Sequence, residues 1–496
     1  MAEVVALQHA DYAVELKNHI GGTWVATGKL FDTIDPTTGR VTGAVHEAGQ
    51  SEVDAAVAAA KAALKGPWGS MSQEARRKLL HAVADRMVER HADFLEAEIG
   101  DTGMPLHFAD HVNVPRGAAN FKIFADLFAN VPTESFTMDT PDGKTALNYG
   151  LRVPRGVIAV ISPWNLPLLL TTWKVGPALA CGNTVIVKPS EETPRSANLL
   201  AEVMAEVGVP DGVFNVLHGF GTDSTGQWLT EHPDVNGITF TGETVTGEAI
   251  MRAAAKGVRP VSFEMGGKNS AVVFADANLD EAIAGLTRSA FQNTGQVCLG
   301  TERIFVQRPI FDEVVRRLAD AASQLKPGAP RDAGSSFGPL ISAVHKAKVL
   351  EYYALAVAEG AQVVTGGGTP DMPAHQQGGF WIEPTIWTGL ADDARVVQEE
   401  VFGPCCHIAP FDTEDEVIAR ANDTKYGLAA SVWTGSLDTA HRMGRSLEVG
   451  VCWINSWFLR DLRTAFGGAK QSGIGREGGI HSLEFYTELR NVCVKL

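Results

Sequence analysis

The sequence has few cysteines and no long uninterrupted apolar segment. Six cysteines are spread over 496 residues without a Cys-X-X-Cys pair, so the pattern is not that of a disulfide scaffold, and a reduced, cytoplasmic location is expected. The adjacent residues Cys405, Cys406 and His407 lack the spacing of a zinc site, and we expect no metal. The most apolar window, residues 161–181, contains three prolines, an asparagine and a lysine. We therefore expect a soluble protein with no membrane partner.

Positive charge is also scarce. Lys and Arg total 42 against 58 Asp and Glu, which gives a formal net charge of −16. A nucleic acid needs a basic face for its phosphates, so no nucleic-acid partner is expected. Glu3 and Asp11 precede the first basic residue, Lys17, which is the wrong charge order for a secretory signal. An anionic ligand of this chain would have to be bound by a few local cations.

The chain is long enough for two or three domains, and its pattern predicts the α/β class. Short continuous apolar runs at 156–162, 183–190, 212–219 and 237–242 alternate with helical patterns. Such runs predict parallel strands that are buried on both faces, in a doubly wound sheet that binds its ligand at the carboxyl ends of the strands. A second α/β unit is expected to begin near residue 264. Ser51 with Asp54 predicts the capped start of an early helix.

Two glycine-rich corners follow predicted strands, but neither is a complete phosphate motif. GFGTDS at 219–224 ends in serine where the dinucleotide fingerprint has glycine. TGETVTGEA at 241–249 has the glycine spacing of a P-loop, with Glu248 and Ala249 in place of the lysine and the hydroxyl residue. A carboxylate would repel the phosphates, so phosphate hydrolysis is excluded. A strand-to-helix corner remains, and its backbone N–H groups could face a pyrophosphate.

Three polar residues beside glycine or proline are candidates for chemistry. Cys298 lies in FQNTGQVCLGTER, where glycines permit close backbone approach and a thiolate could attack a carbonyl carbon. Glu264 ends an apolar run beside a Gly-Gly pair, and Asn165 stands between two prolines that stiffen its loop. The residues alone leave open a buried structural thiol, an exposed turn carboxylate and an ordinary turn asparagine.

Seven segments together resemble the NAD(P)-dependent aldehyde dehydrogenase superfamily, in the family's order and over roughly residues 20–496. They are PWN (163–165), VKPSEET (187–193), FTGETVTG (240–247), EMGGK (264–268), FQNTGQVC (291–298), EEVFGP (399–404) and FGGAKQSGIGREGG (466–479). The resemblance implies an NAD-dependent aldehyde dehydrogenase. Its fold would combine a Rossmann-like parallel-sheet cofactor domain, an α/β catalytic domain and a small β oligomerisation element.

The resemblance also implies domain bounds and site residues. It places the NAD-binding domain at 1–135 and 155–263, the catalytic domain at 264–479, and the oligomerisation element of a homodimer or homotetramer at 136–154 and 480–496. Cys298 matches the nucleophile, Glu264 the general base and Asn165 the oxyanion donor. The residues that match contacts to the cofactor are Trp164, Lys188, Glu191, Thr241, Gly242, Glu243, Glu400 and Phe402.

Two of these matched positions, and the lysine of the EMGGK motif, carry a further expectation. Glu191 would repel a 2′-phosphate, so NAD is preferred to NADP. Glu243 stands where the family commonly has serine, which puts its own contact in doubt. Lys268, the lysine of EMGGK, is expected to be structural.

The substrate prediction depends on segments 114–134, 170–184 and 457–468. These resemble the branch of the superfamily that oxidises the 6-semialdehyde of 2-hydroxymuconate or 2-aminomuconate in aromatic-compound catabolism. The resemblance implies that Arg116 and Arg460 bind the substrate carboxylate, while Trp173 and Phe458 line the pocket. Arginine suits this role because it forms two parallel charge-assisted hydrogen bonds to a carboxylate.

Arg463 is predicted to be structural and to pair with Asp461. Other semialdehydes and neutral aromatic or aliphatic aldehydes remain alternative substrates. A CoA-acylating branch typically lacks the glutamate base, and a catalytically idle relative would be expected to lose the nucleophile or the base. Both Cys298 and Glu264 are present.

Overall fold

The computed structural model describes residues 14–332 and 334–496, so Glu3 and Asp11 lie outside the described part. Its helices are α1 Gln50–Lys65, α2 Gln73–Glu89, α3 His91–Thr102, α4 Leu106–Phe108, α5 Val114–Phe128, α6 Pro167–Ala180, α7 Arg195–Glu206, α8 Thr225–Glu231, α9 Thr244–Ala255, α10 Leu279–Phe291, α11 Phe311–Ser323, α12 Ala343–Ala358, α13 Arg395–Gln398, α14 Glu414–Asn422, α15 Leu437–Ser446 and α16 Gly479–Tyr486.

The strands belong to two large and three small sheets. They are β1 Val14–Leu16, β2 Asn18–Ile20, β3 Thr23–Val25, β4 Leu30–Asp35, β5 Arg40–His46, β6 Ser135–Asp139, β7 Thr145–Pro154, β8 Val157–Ile161, β9 Thr184–Lys188, β10 Phe214–Val216, β11 Gly237–Thr241, β12 Val261–Glu264, β13 Asn269–Val273, β14 Thr301–Gln307, β15 Gln362–Thr365, β16 Thr385–Thr388, β17 Cys405–Phe411, β18 Tyr426–Gly427, β19 Ala429–Trp433, β20 Val451–Ile454, β21 Ala469–Lys470, β22 Gly473–Ile474 and β23 Thr487–Lys495.

The first large sheet has the strand order β22-β12-β11-β8-β9-β10-β2-β3. Its five central strands, from β12 to β10, are parallel, and β8, β9 and β11 are buried along their whole length. The four apolar runs therefore form the predicted parallel strands. The strands at both ends are antiparallel, because β2 and β3 form a tight hairpin and β22 returns from a distant glycine-rich segment.

The second large sheet has the order β15-β16-β17-β14-β13-β19-β20 and is parallel except at β15. Strand β13 begins just after Glu264 and its Gly-Gly pair, as expected for the second unit. A third sheet, β23-β7-β6, is antiparallel and joins the chain's last strand to residues 135–154. PWN follows β8 and EMGGK begins at the last residue of β12, whereas FQNTGQVC runs from the end of α10 towards β14.

The start of α1 differs from the prediction. The helix begins at Gln50 with Gly49 as its N-cap, and the Glu52 carboxylate accepts the Gly49 N–H at 2.7 Å. Asp54 instead accepts a hydrogen bond from the Gln50 side chain. Glycine has no side-chain acceptor, so the glutamate three residues later satisfies the free backbone donor. Ser51 and Asp54 therefore lie inside the first turns of the helix.

Within residues 14–332 and 334–496, none of the helices has the length and apolar character needed to cross a membrane, and no group of three or more His, Cys, Asp or Glu side chains is arranged to bind a metal ion. Cys405 and Cys406 are buried free thiols at the start of β17.

Candidate active site

Cys298 follows a strained loop. Residues 293–295 have consecutive φ values of 51°, 57° and 70°, and the first two are asparagine and threonine. A Cβ atom at Gly295 would lie 2.1 Å from the carbonyl oxygen of Gly403, so only glycine allows this loop to pack on the 399–404 segment. Left-handed non-glycine residues of this kind persist only where the surrounding contacts hold them. The fold thus presses the loop before Cys298 against the segment that resembles a nicotinamide-binding motif.

Asn269 holds the other side of this cysteine. Its Nδ2 donates to the carbonyl oxygens of Cys298 and Gly300, at 2.7 and 2.8 Å, and its Oδ1 accepts the Ala429 N–H at 2.9 Å. Sequence reasoning did not single out Asn269. The available signal was a polar residue at the start of an otherwise apolar strand, where the register of β13 against β14 shifts.

Asn165 lies beside the same loop. It follows β8 and is buried, and its Nδ2 donates to the carbonyl oxygen of Gln296 at 2.9 Å. The Asn293 side chain donates in turn to the carbonyl oxygens of Asn165 and Gln296, at 3.0 and 3.3 Å. The fold therefore brings the predicted oxyanion donor to the loop that carries Cys298, although 133 positions separate Asn165 and Cys298 in the chain.

Glu264 ends β12 in a buried position. Neither carboxylate oxygen has a hydrogen-bond partner within the described ranges. Burial, and then the nearby charge of Glu477, raise the pKa of Glu264 to about 8, against opposing effects of Lys174 and Arg460. A Cβ atom at Gly467 would lie only 2.7 Å from Oε1, so the glycine makes room for the carboxylate. An unpaired buried carboxylate with a raised pKa is suited to take a proton near neutral pH.

The thiol of Cys298 is also electrostatically perturbed. Burial raises its pKa to about 12, and the charges of Glu264 and Glu400 add to the increase, while Arg460 opposes it. The side chain is therefore a neutral thiol near pH 7 in this state of the protein, and its proton must be removed as it attacks.

A buried ion pair lies near Glu264. Lys174 Nζ is 2.7 Å from Glu477 Oε1, and both side chains are almost wholly inaccessible to solvent. The hydroxyls of Thr239 and Ser262 donate to the same oxygen, and the indole of Trp173 donates to Oε2 at 2.6 Å. Lys174 and Glu477 were not predicted, because 303 residues separate them and neither belongs to a local pattern of polar residues. Their contacts orient Trp173.

Arg460 lies between two aromatic rings. Its guanidinium carbon is 4.0 Å from the ring centre of Trp173 and 3.6 Å from that of Phe466. Nε and Nη2 are buried and have no hydrogen-bond partner in the part of the chain that the structure describes. Burial, and then the like charge of Arg116, lower the pKa of Arg460 to about 9. A guanidinium with unsatisfied donors and a cationic neighbour is suited to bind an anion.

The other two arginines differ in their surroundings. Arg116 lies in the first turn of α5, and its Nε is likewise buried without a partner among residues 14–332 and 334–496. Burial lowers the pKa of Arg116. Arg463 is 71% exposed, and its Nη2 is 2.6 Å from Asp461. The predicted pairing of Arg463 with Asp461 is confirmed, and the two candidate anion-binding residues are Arg116 and Arg460.

Phe458 and Trp173 both pack against the hydrophobic cluster that Cys298 contacts. Trp173 is buried, and Phe458 is half-buried with a φ of 64°. The ring of Phe458 lies 5.0 Å from that of Trp457. The fold therefore brings the predicted pocket-lining residues to the region of the nucleophile.

The predicted adenine-ribose residues follow β9. Lys188 Nζ donates to the Pro189 carbonyl oxygen at 3.0 Å and lies 3.3 Å from a carboxylate oxygen of Glu191. Trp164 packs against Phe402 edge-on, with ring centres 5.3 Å apart. An amine beside a partly exposed carboxylate at the carboxyl end of a parallel strand matches the chemistry of a ribose diol.

The corner between β11 and α9 provides backbone donors. Gly242 donates its N–H to the Glu264 carbonyl oxygen at 3.1 Å, directly after Thr241. A Cβ atom at Gly242 would lie 2.5 Å from the Phe240 ring, so glycine is required there. Helix α9 follows with Glu243 as its N-cap, and no side chain caps it. The free N–H groups at this helix start fit a pyrophosphate, which is the donor set that NAD requires.

Glu243 points to a different partner. Its carboxylate is exposed and lies 3.6 Å from Lys348 Nζ. An anionic group next to a pyrophosphate would be repelled by this carboxylate, and the ion pair reduces that repulsion. The ion pair is consistent with the doubt about a direct cofactor contact of Glu243.

The segment 399–404 is held by a buried pair. Glu302 accepts the N–H of Phe402 at 2.9 Å and forms a buried ion pair with Lys268, a contact that agrees with the structural role predicted for that lysine. Phe402 has a φ of 59°. Glu400 accepts the Gly267 N–H at 2.8 Å, and burial, with Glu302 as the next cause, raises its pKa to about 8. The predicted nicotinamide-side residues thus lie on one rigid segment, which contacts the Cys298 loop through Gly403.

The sequence matches a known protein family and individual relatives within it. A model of the aldehyde dehydrogenase family matches residues 24–492. A 2-hydroxymuconic semialdehyde dehydrogenase of Pseudomonas sp. strain CF600 is 66% identical over 484 residues, which cover 97% of this chain and 100% of the relative. A 2-aminomuconic 6-semialdehyde dehydrogenase of Pseudomonas sp. is 55% identical over 97% of this chain and 98% of its own.

A solved structure supports the same architecture. The NAD+ complex of an aldehyde dehydrogenase from Bacillus cereus is 38% identical, covers 98% of each chain and superposes with a TM-score of 0.94. The predicted α/β fold class, with its cofactor and catalytic sheets, is confirmed.

Proposed function

The chain belongs to the aldehyde dehydrogenase family, and from this premise we propose that it oxidises 2-hydroxymuconic or 2-aminomuconic semialdehyde to the dicarboxylate. It is an NAD-dependent oxidoreductase. The observation that carries the substrate proposal is Arg460, whose Nε and Nη2 are buried near the nucleophile and have no hydrogen-bond partner among the described residues. A semialdehyde that ends in a carboxylate supplies the missing partner of this group.

The proposed reaction begins with the thiol. The Cys298 thiol gives its proton to solvent and its sulfur attacks the aldehyde carbon; the carbonyl oxygen becomes an oxyanion that accepts hydrogen bonds from the Asn165 amide and the Cys298 backbone N–H. Removal of one such donor typically lowers the rate by about 10²- to 10³-fold. Bound NAD supplies the two-electron acceptor that allows the adduct to become a thioester. Trp164, Lys188, Glu191, Thr241, Gly242, Glu400 and Phe402 are the residues proposed to hold it.

Hydrolysis of the thioester needs a base. Glu264 is proposed to take a proton from a water molecule, whose oxygen attacks the acyl carbon and releases the Cys298 thiolate. The carboxylate of Glu264 suits this step because its oxygens have no other hydrogen-bond partner among the described residues and its pKa is raised. The product is a carboxylic acid.

The carboxylate end of the substrate is assigned to the half-buried arginines Arg116 and Arg460. Their charges lie close enough for Arg116 to lower the pKa of Arg460. One substrate carboxylate would relieve this repulsion and satisfy the free N–H donors of Arg460. Trp173 and Phe458 would then flank the conjugated chain between the carboxylate and the aldehyde.

Reduction of NAD across a substrate panel tests the proposal. The panel contains 2-hydroxymuconic and 2-aminomuconic semialdehydes, hexanal and benzaldehyde, with Cys298→Ala as the blank. We expect the two acids to have the highest kcat/KM. An equal or higher kcat/KM for benzaldehyde or hexanal would contradict the carboxylate assignment.

We also propose that the chain forms a homodimer or homotetramer through residues 136–154 and 480–496, and that it works in the cytoplasm without a nucleic-acid or membrane partner. The small sheet of β6, β7 and β23 supports the first point, because Phe136 and Leu489 are 64% and 61% exposed. Exposed apolar groups on such a sheet favour association. Light scattering of Leu489→Glu against the unmodified chain tests it; an unchanged mass would contradict this interface.

The remaining domain assignment follows the two large sheets. Residues 1–135 and 155–263 are proposed as the NAD-binding domain and 264–479 as the catalytic domain. The parallel strands β8 to β12 of the first sheet and the strands β13 to β17, β19 and β20 of the second support this division, and β22 pairs with β12 across it.

A further inference from the structure

The loop that leads to Arg460 is tied at two points by tryptophan side chains. The indole N–H of Trp457 donates to the carbonyl oxygen of Leu299, the residue after Cys298, at 2.9 Å. The indole N–H of Trp453 donates to the carbonyl oxygen of Leu459, the residue before Arg460, at 2.7 Å. One contact therefore joins the loop to the nucleophile, and the other fixes the peptide that precedes the arginine.

Arg288 fixes the position of Trp457, whose indole makes the first of these two hydrogen bonds. Arg288, on α10, donates from Nη2 to the Trp457 carbonyl oxygen at 2.9 Å, and its guanidinium carbon lies 5.3 Å from the centre of the Trp457 ring. Trp457 is buried, so its ring cannot turn without disturbing the core cluster. Asn455 and Phe458 have φ values of 49° and 64°, which shows that the loop follows a path that only such contacts maintain.

We propose that Trp453 and Trp457 are positioning residues that set the span between Cys298 and Arg460, and hence the length of the semialdehyde acid that the enzyme accepts. The inference rests on the proposed function, because it takes Arg460 as the carboxylate anchor. A rigid anchor discriminates by length: an acid of the right span places its aldehyde carbon at the thiol, whereas a shorter acid reaches only one of the two ends. Misplacement of about 1 Å is enough to lower a rate by about 10²-fold.

The experiment replaces each indole by a ring without a donor. Trp453→Phe and Trp457→Phe each remove one tie and keep an aromatic side chain. Trp387→Phe is the matched control, because the Trp387 indole is buried in another part of the catalytic unit and its N–H has no partner within the described residues. Substrates are adipic semialdehyde, which has the span of the muconic acids, succinic semialdehyde, which is shorter, and hexanal, which has no carboxylate.

The measured quantity is the ratio of kcat/KM for adipic semialdehyde to that for succinic semialdehyde. We expect this ratio to fall about tenfold in Trp453→Phe and in Trp457→Phe. A tenfold change corresponds to about the net free energy of one hydrogen bond. The fall should come from a higher KM and lower kcat for the long acid, and the control should keep the wild-type ratio. In Trp453→Phe, hexanal oxidation should stay within about twofold, because this tie touches only the Arg460 end.

An unchanged ratio in folded Trp453→Phe, with wild-type circular dichroism and KM for NAD, would overturn the proposal. If Trp457→Phe does not fold, Trp453→Phe still decides. The variant Arg460→Met shows whether a negative result contradicts the positioning role of the tryptophans or the proposed function itself. If the ratio collapses in Arg460→Met but not in the tryptophan variants, Arg460 binds the carboxylate and the two indole hydrogen bonds do not set the length preference. A wild-type ratio in Arg460→Met would reject Arg460 as the anchor.

Discussion

The variant Arg460→Met tests how the enzyme recognises an acid. Methionine keeps a long, flexible side chain that can fill the space between the rings of Trp173 and Phe466, which lie 4.0 and 3.6 Å from the guanidinium carbon. It removes the positive charge and every N–H donor. The packing of the loop is therefore largely preserved, and the change isolates the interaction with an anion.

The expected loss follows from the surroundings of the arginine. Nε and Nη2 are buried, so their bonds to a carboxylate would form with little competition from water. Truncation of one partner of a buried, hydrogen-bonded charge pair costs about 2–5 kcal/mol. With a central value of about 3 kcal/mol, kcat/KM for a muconic semialdehyde should fall about 150-fold. A neutral aldehyde makes no such bond.

The charge of Arg460 also affects Glu264, and the assay must separate the two effects. Arg460 lowers the pKa of Glu264, so its removal should raise that pKa further. A base works in its ionised form, so oxidation of hexanal by the variant should be slower near pH 7 and recover as the pH rises. Reduction of NAD is therefore followed from pH 7 to the alkaline plateau. Equal losses for hexanal and the muconic acid on that plateau would refute the anchor.

Four further variants test the remaining assignments. Cys298→Ala should abolish NAD reduction with every aldehyde, and retained turnover would remove the cysteine from the mechanism. Glu264→Gln should give one burst of NADH per site and then stop at the thioester. In the wild type, acid production should rise with pH through about 8, because burial raises the pKa of Glu264 and the base must be ionised; a pH-independent rate would oppose this role. Gly467→Ala should lower kcat at least about tenfold, since its Cβ atom would lie 2.7 Å from Oε1 of Glu264 in a φ of 150°, and an unchanged kcat would show that the carboxylate can move aside. Arg463→Ala breaks an exposed ion pair with Asp461 and should leave both the free energy of unfolding and the kinetics nearly unchanged, because solvent screens such a pair; a raised KM for the acids would give Arg463 a role at the substrate.

Local sequence patterns were sufficient to predict the central parallel strands of the first large sheet. The apolar runs at 156–162, 183–190, 212–219 and 237–242 became parallel strands because continuous apolar sequence of that length is stable only when both faces are covered. The antiparallel strands at the sheet ends and the Gly49 cap of α1 were not predicted, because short edge strands and glycine caps have weak local signals.

The hydrogen bonds and ion pairs of the site could not be predicted from such local patterns. Lys174 and Glu477 meet across 303 residues, and Asn269 reaches the carbonyl of Cys298 across 29. Lys174 and Glu477 lie in segments that carry the family resemblance, and Asn269 directly follows another, but the neighbouring residues in the chain do not indicate their partners. Their partners become known only when the strands and loops that carry them are packed together.

The two arginines of the segment 457–468 show most directly what the sequence determines and what depends on the tertiary structure. The amino-acid sequence alone determined an α/β fold and, through a resemblance carried by motifs in a characteristic order, predicted that a cysteine, a glutamate and an asparagine act together. The resemblance predicted Arg460 at the substrate and Arg463 in a structural pair with Asp461, but no periodicity in this irregular loop explains why two side chains three positions apart should differ. The folded chain accounts for the difference: the left-handed turn at Phe458 and the two indole hydrogen bonds carry Arg460 between Trp173 and Phe466, and leave Arg463 in solvent beside Asp461.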